Sequence, residues 1–365
     1  MMLLFCISVF SQEKEKIVKN DTLKNNKKVK TAFIPMLTYS NSFGVTFGVM
    51  TAGYYKLDRT DMISPLSSTL LLLKYSLNDT WFAILPNKFY FKEDKFRAKA
   101  VTGMGSINFQ TYLDWSDVIG ELPDGILQEP DNDGVFIDYN TKFQFLIFDL
   151  TTKVYKELYI GGKVIYSHNL TSFETDLKPD DDESLFGFGF SSEYDIRNSQ
   201  TQPLTGFNSK FNTFHYLEAL GSTSAYSKIY FEFNKYFPLQ DRNTILLRAV
   251  GKIAFGDVPF SGKNVVGRDD LRGYSNGKFR ADQVYDIQSE YRHWFSKRWG
   301  FVAFGGFATA VDKIGDFKFG DLLPGAGAGI RFLAIPSANV SIGVDVAVGK
   351  DDWGLYFRIG EAFTR

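Results

Sequence analysis

From about residue 31 onward the apolar side chains of this chain recur at every second position, with polar and often charged residues between them. Between Asn339 and Gly349, Val340, Ile342, Val344, Val346 and Val348 share one face, while Ser341, Gly343, Asp345 and Ala347 share the other. Between Tyr226 and Tyr236, Ile229, Phe231 and Phe233 alternate with Lys228, Glu232 and Asn234, and between Val284 and His293, Tyr285, Ile287 and Tyr291 alternate with Asp286, Gln288, Glu290 and Arg292. A helix would scatter these residues around its circumference, so the period of two specifies strands. The polar faces carry full charges, which the core of a β-sandwich does not tolerate unpaired but the lumen of a barrel does.

Followed along the chain, the alternation predicts sixteen strands, near 32–39, 43–55, 67–76, 80–91, 96–107, 135–148, 158–168, 184–195, 209–217, 225–236, 244–254, 283–294, 300–311, 323–332, 339–348 and 353–363. Sixteen crossings of ~9–11 residues need ~145–175 residues in a bilayer and leave the remainder for loops. The connections alternate in kind. Those after strands 4, 10, 12 and 14 are short, as in Lys92 to Lys95, whereas those after strands 5, 7, 11 and 13 are long, as in Asn108 to Gly134. Short turns at one end and long loops at the other are the asymmetry of an outer-membrane barrel. Aromatic residues precede the short turns, at Phe89-Tyr90-Phe91, Tyr236-Phe237, Trp294-Phe295 and the terminal Phe363, with Tyr112, Trp115 and Trp353 toward the other end; two interfacial girdles are expected from them. A soluble propeller would show a repeat of 40–50 residues, and none is found.

Composition narrows the class further. In 365 residues with 16% aromatics, the net charge is only −1, so no broad basic face exists for nucleic acid. Beyond the first dozen residues no apolar run approaches the ~18 of a membrane-spanning helix. The run Met2 to Phe10, followed by Ser11-Gln12 and the charged Glu13 to Lys16, reads as a secretory signal in 1–12, although it lacks the usual leading Lys or Arg. Residues 13–31 read as a flexible, Lys- and Asn-rich periplasmic leader, and 32–363 as the barrel. The single cysteine, Cys6, lies inside the signal, and Phe5 before it argues against lipidation. The mature chain is therefore expected to have no disulfide, no zinc cluster and no thiol chemistry.

The connection between strands 11 and 12, Phe255 to Asp282, contains Leu271-Arg272-Gly273-Tyr274. Three further motifs accompany it: Asp195-Ile196-Arg197-Asn198 with Pro203 and Gly206 beyond, Glu290-Tyr291-Arg292, and Gly325-Ala326-Gly327-Ala328-Gly329-Ile330-Arg331-Phe332. Together these resemble the BamA/TamA superfamily, also called the bacterial surface antigen family. Its barrel has sixteen strands, its sixth outer loop carries (V/I/L)-R-G-(F/Y), and companion motifs D-x-R-(D/N)…P-x-x-G, E-x-R and G-x-G-x-R-(F/W) occur in this order. The position of Leu271 to Tyr274 in the sixth long connection agrees with that pattern. The resemblance covers about residues 190–363 by motif and 31–190 by architecture. It implies an all-β, sixteen-stranded antiparallel transmembrane barrel with an inward-folding sixth loop, and an assembly signal in the last strand, here Tyr356, Phe357 and Phe363. The family's F-x-D-x-G on strand 13 is not reproduced, since Gly306 stands in the aspartate's place.

Read on its own chemistry, Arg272 beside Gly273 in a 28-residue connection can fold back into a wide lumen and find carboxylates there. Glu290 and Asp345 are the candidate partners by alternation. The acidic runs Asp114 to Asp133 and Asp180 to Glu183 read as solvated loops, without the spacing of a calcium loop. Only His168, His215 and His293 could serve a hydrolase, and none has an evident nucleophile and orienting acid in sequence, so no enzyme and no cofactor or metal are expected. The resemblance implies a role in outer-membrane protein or envelope assembly, with outer-membrane lipids, lipopolysaccharide and protein partners. The soluble POTRA domains of its best-known members are not expected here, as about twenty residues separate the signal from the first strand. A passive pore or small-solute channel, and a structural anchor, remain open alternatives.

Overall fold

The computed structural model describes residues 30–40, 44–114, 134–175, 180–199, 202–240, 242–267, 270–274, 278–336 and 339–363. The expected signal, Cys6, most of the leader, Trp115 and most of the first acidic run lie outside these residues. Along the chain run β1 (Lys30–Ser40), β2 (Gly44–Tyr55), β3 (Ser67–Ser76), β4 (Trp81–Phe91), β5 (Phe96–Asp114), β6 (Gly134–Tyr155), β7 (Leu158–Phe173), β8 (Asp181–Asp195), β9 (Gly206–Tyr216), β10 (Tyr226–Pro238) and β11 (Thr244–Gly256). Then follow two short strands, β12 (Asn264–Val265) and β13 (Arg280–Ala281), and finally β14 (Gln283–His293), β15 (Trp299–Val311), β16 (Leu323–Ile335), β17 (Val340–Gly349) and β18 (Asp352–Ile359).

Sixteen of these form one sheet in sequence order, every pair antiparallel, while β12 and β13 make a separate ribbon within the sixth connection. The first and last strands, β1 and β18, come together with backbone atoms within 8 Å, so the sheet curls round into a barrel. Sequence periodicity thus located each barrel strand. Its boundaries fell short in the middle of the chain, where β5, β6 and β7 run to 19, 22 and 16 residues. A crossing needs only ~9–11 residues, so these hairpins extend past the bilayer-sized band.

The two faces of the sheet are inverted relative to a soluble protein. On β14, Ile287 is 67% exposed while its neighbours Asp286 and Gln288 are each 2% exposed; on β17, Val346 is 50% exposed and Asp345 not at all. Leu146, Leu150, Phe188, Phe231, Phe233, Ile330 and Val348 continue the outer apolar surface. An apolar belt this extensive is stable only against an apolar medium. Among the described residues no helix is long and apolar enough to cross a membrane.

The interior departs from the uniformly charged lumen that the alternation suggests. Inward positions of β2 to β10 carry a large apolar cluster, including Leu70, Ile84, Phe109, Tyr139, Phe145, Ile165, Leu185, Phe214 and Tyr226, against which Val258 and Phe260 of the sixth connection pack. Phe260 lies 5.2 Å from the Phe173 ring and 5.8 Å from that of Tyr139. Alternation distinguishes inward from outward, but an inward residue can face water, a second wall or an in-folded loop, and here a loop is present.

Three other expectations are corrected. Asp181 to Glu183 open β8 instead of forming a solvated loop, and the buried Glu183 accepts a hydrogen bond from Ser261 of the sixth connection. Tyr236 points inward and is 1% exposed, so only its neighbour Phe237, 42% exposed, can join a girdle. Phe363 is not a strand end: β18 stops at Ile359, Gly360 takes φ +81°, and the chain turns into the lumen, where Phe363 packs with Tyr236, Leu246 and Ala362.

Candidate functional site: an arginine latch inside the barrel

Strands β14 to β18 bring charged residues from distant parts of the sequence onto one inner wall because each sits at an inward position. Glu290 and Arg292 come from β14, Arg331 from β16, Asp345 from β17 and Arg358 from β18. In register, Asp345 lies opposite both Gly329 and Tyr356, and Gly343 opposite Arg331 and Arg358. Into this wall the sixth connection inserts its tip.

Arg272 is fully buried and forks between two carboxylates, donating to Glu290 at 2.5 Å and to Asp345 at 2.8 Å. Its guanidinium lies flat on Phe304 of β15, 3.2 Å from the ring centroid. The fifteenth strand, which lacks an aspartate at Gly306, therefore contributes an aromatic face two residues earlier. A planar, weakly hydrated cation suits such a site, where a lysine would not.

The network extends beyond Arg272. Asp345 also accepts from Arg331 at 2.5 Å and Arg358 at 2.8 Å, and Arg292 donates to Glu290 at 2.7 Å. Glu361, in the tail beyond β18, accepts from Arg331 at 3.1 Å and from Ser341 at 2.7 Å. The tail backbone is held too, as Arg292 donates to the Ala362 carbonyl at 2.6 Å and the Tyr236 hydroxyl to that of Phe363 at 2.7 Å. Burying so many ions is costly unless each keeps its partners, and mutual pairing is what makes the cluster tolerable.

Around the tip, Leu271 and Tyr274 enter an apolar cluster with Val266, Val284, Ala308 and Leu323. The Gly273 amide donates to the Tyr356 hydroxyl at 2.9 Å, and the Tyr274 hydroxyl donates to the Pro324 carbonyl at 2.5 Å while accepting from the Lys350 amide at 3.0 Å. Gly273 has φ +110° and sits against the backbone of Val348, where a Cβ would come within 2.6 Å of the carbonyl carbon. Both its conformation and its surroundings require glycine.

The alternating glycines of β16 make room for this packing. A Cβ at Gly325 would lie 2.8 Å from the Arg272 carbonyl oxygen and from Leu271, one at Gly327 2.5 Å from the Phe304 ring that carries Arg272, and one at Gly329 would strike the Asp345 carboxylate. Gly325→Val is accordingly expected to push the loop tip off the wall and lower stability by ~1–3 kcal/mol, measured by urea unfolding in detergent. Gly305→Ala, whose Cβ would find its nearest neighbour at 3.5 Å, should leave the midpoint unchanged.

The other sequence-selected residues lie elsewhere. Asp195, the last residue of β8, and Arg197 form a two-pronged pair at 2.8 and 2.6 Å; beyond it Pro203 is buried and Gly206, with φ +98°, packs against the Ile196 carbonyl. Phe357 pairs with Val344 in the final hairpin. Sequence reasoning missed Phe304, Glu361 and Arg358, and also the hydroxyls beside two histidines. His168 meets Ser184 at 3.0 Å and Asp182 at 3.6 Å, and His215 meets Ser227 at 2.9 Å. Both partners of His168 use the same nitrogen, Nδ1, so the acid–base–nucleophile relay through opposite ring nitrogens is not formed. No group of His, Cys, Asp and Glu able to hold a metal occurs among the described residues.

A sixteen-stranded antiparallel barrel with an apolar outer belt, its lumen occupied by a loop pinned through a buried arginine, defines a class of transmembrane β-barrel. The family model described as the Omp85 superfamily domain matches residues 125–363, and the chain belongs to that superfamily. Among solved structures it is similar to BamA from Haemophilus ducreyi lacking POTRA domains 1-3, at 14% identity and a TM-score of 0.63, over 93% of this chain and 70% of that one. It is also similar to CdiB from Acinetobacter baumannii (12% identity, TM-score 0.59, 92% of this chain and 60% of that one) and CdiB from Escherichia coli (11%, 0.62, 94% and 64%). At these identities the likeness is one of fold. No curated protein matches the sequence.

Proposed function

We propose that this protein is an integral, multi-pass barrel of the Gram-negative outer membrane that takes part in assembling or inserting other envelope proteins, as a subunit of a larger complex. Residues 32–363 form the barrel in this reading, and 1–12 a cleaved signal. The observation that carries it is the placement of the latch. Arg272 ties the tip of the sixth loop to β14–β18, the part of the wall beside the seam where β1 meets β18, while Asp270 and Ser261 tie the same loop to β11 and β8. The seam brings together the first and last strands of the sheet, so a braced wall beside it can open there without losing the rest of the sheet, and an exposed strand edge is a template for another strand. Outer-membrane lipids and lipopolysaccharide would surround the belt, and periplasmic or outer-membrane proteins would bring the client.

Depleting the protein and quantifying the outer-membrane proteome tests this reading. A selective fall in a subset of barrel proteins is expected, and an unchanged census refutes it. The competing reading, a passive pore, draws on an internal cavity of about 360 Å³ beside the loop, and is decided by the conductance experiment in the Discussion.

A further inference from the structure

At the end of the barrel that holds the short connections, most turns balance their charges. The β2–β3 turn sets Lys56 and Arg59 against Asp58 and Asp61, β4–β5 sets Lys92 and Lys95 against Glu93 and Asp94, β6–β7 sets Lys156 against Glu157, and β10–β11 sets Arg242 against Asp241. The β14–β15 turn, residues 294–298, carries Lys297 and Arg298 and no carboxylate. Both residues are exposed, and neither meets a carboxylate among the described residues. The turn is held in one shape. Ser296 accepts from the Arg298 and Trp299 amides at 3.2 and 2.8 Å, and its own amide donates to the Trp299 carbonyl at 3.1 Å. From the next turn, Arg242 donates to the Lys297 carbonyl at 3.2 Å while its guanidinium lies 4.7 Å over the Trp294 ring. The backbone that carries the two cations is thus set before any ligand arrives, which lowers the ordering cost of binding.

The wall that leads to this turn sorts its outward side chains by polarity. Phe301 and the 59% exposed Ile330 lie opposite each other in the apolar belt. Trp299 and Phe332 form the next outward pair, their rings 4.8 Å apart, and Arg298 follows with its guanidinium 5.9 Å from the Phe332 ring. On the other limb of the turn Phe295 is 61% exposed. Apolar, then aromatic, then cationic is the order of a bilayer's core, interface and headgroup layer. The anion that two uncompensated cations meet at that depth is a lipid phosphate, and net attraction requires a headgroup whose own charge does not cancel it.

We propose that the β14–β15 turn is a docking site for anionic phospholipid, with Lys297 and Arg298 meeting the headgroup and Phe295 and Trp299 the adjoining part of the acyl chain. Because β14 and β15 carry Glu290 and Phe304, the site also fixes the wall of the latch to the lipid surface. The proposal rests on the apolar belt lying in a bilayer and is independent of the assembly role.

Native mass spectrometry of the full chain in a neutral detergent, titrated separately with dioleoyl phosphatidylglycerol, dioleoyl phosphatidylcholine and glycerol 3-phosphate, tests the proposal. Phosphatidylglycerol is expected to bind saturably and about tenfold more tightly than phosphatidylcholine, and Lys297→Gln/Arg298→Gln to remove most of that preference. Lys297→Arg/Arg298→Lys keeps both charges and should retain it. Lys92→Gln/Lys95→Gln removes the same charge from the β4–β5 turn and should change the preference less than about twofold; an equal loss there would show that net charge selects the lipid, and overturns the site. Equal affinity for the two phospholipids, or a preference that survives Lys297→Gln/Arg298→Gln, overturns it as well. Glycerol 3-phosphate binding as tightly as phosphatidylglycerol overturns the lipid assignment. Retention of neither phospholipid would overturn the bilayer reading and the proposal with it. Heat-modifiable migration on gels verifies that each variant is folded.

Discussion

Asp345→Asn is expected to destabilise the barrel more than any other single polar substitution on its inner wall. The carboxylate is fully buried and serves Arg272, Arg331 and Arg358 at 2.8, 2.5 and 2.8 Å. Neutralising it leaves those three arginines, together with Arg292, to share Glu290 and Glu361 alone. Breaking a buried ionic cluster by removing one partner costs ~3–5 kcal/mol, because the penalty is the uncompensated charge left behind. Urea unfolding in detergent micelles, followed by tryptophan fluorescence, should show the midpoint fall accordingly. Asp316→Asn, at an exposed site in the β15–β16 connection, should move it by no more than ~0.5 kcal/mol. Equal effects of the two would show that Asp345 is not the hub of the wall.

Arg272→Ala is expected to release the sixth loop. The substitution removes both ion pairs and the stacking on Phe304, leaving the tip to the apolar cluster of Leu271 and Tyr274, the hydrogen bonds of Gly273 and Tyr274 and the ion pair of Asp270 with Lys252. Limited trypsin digestion should then cut within 263–280 at least tenfold faster than in the unmodified protein. Planar-bilayer recordings should change from a closed or brief, small conductance to a sustained one. A large, steady conductance in the unmodified protein would refute a loop-plugged lumen and favour the pore. Arg272→Lys should resemble the alanine variant more than the parent, because one ammonium cannot fork to Glu290 and Asp345 while lying flat on an aromatic ring. Restoration by lysine would mean that charge alone holds the loop.

The sequence made the latch partly legible. Alternation on β14 and β17 put Glu290 and Asp345 on the inward face, and an arginine in a long connection needed such partners. Phe304 and Arg358 were not found this way, although each lies at an inward position, because inward positions on sixteen strands far outnumber those that any one side chain can reach. Which of them meet depends on the stagger between strands. Glu361 and Phe363 were hidden for a different reason. Continuing the last strand to residue 363 places them on the sheet, whereas Gly360 turns the backbone and delivers them to Arg331 and Tyr236. The apolar cluster on the inner face of β2 to β10 was missed because inward was equated with wet.

The sequence by itself determined the barrel strands, their number and, along most of their length, which face each side chain takes, since a period of two is a local property that survives any arrangement of neighbours. Only the tertiary structure decided what the inside of the barrel contains. Curling the sheet round brings β14–β18 beside the seam and opposite the apolar wall of β2–β10, and folding the sixth loop inward turns a row of separate charges into one buried network. Those contacts span up to 127 residues of sequence, as between Tyr236 and Phe363, and no local pattern encodes a contact whose existence depends on strand stagger and on a loop's path.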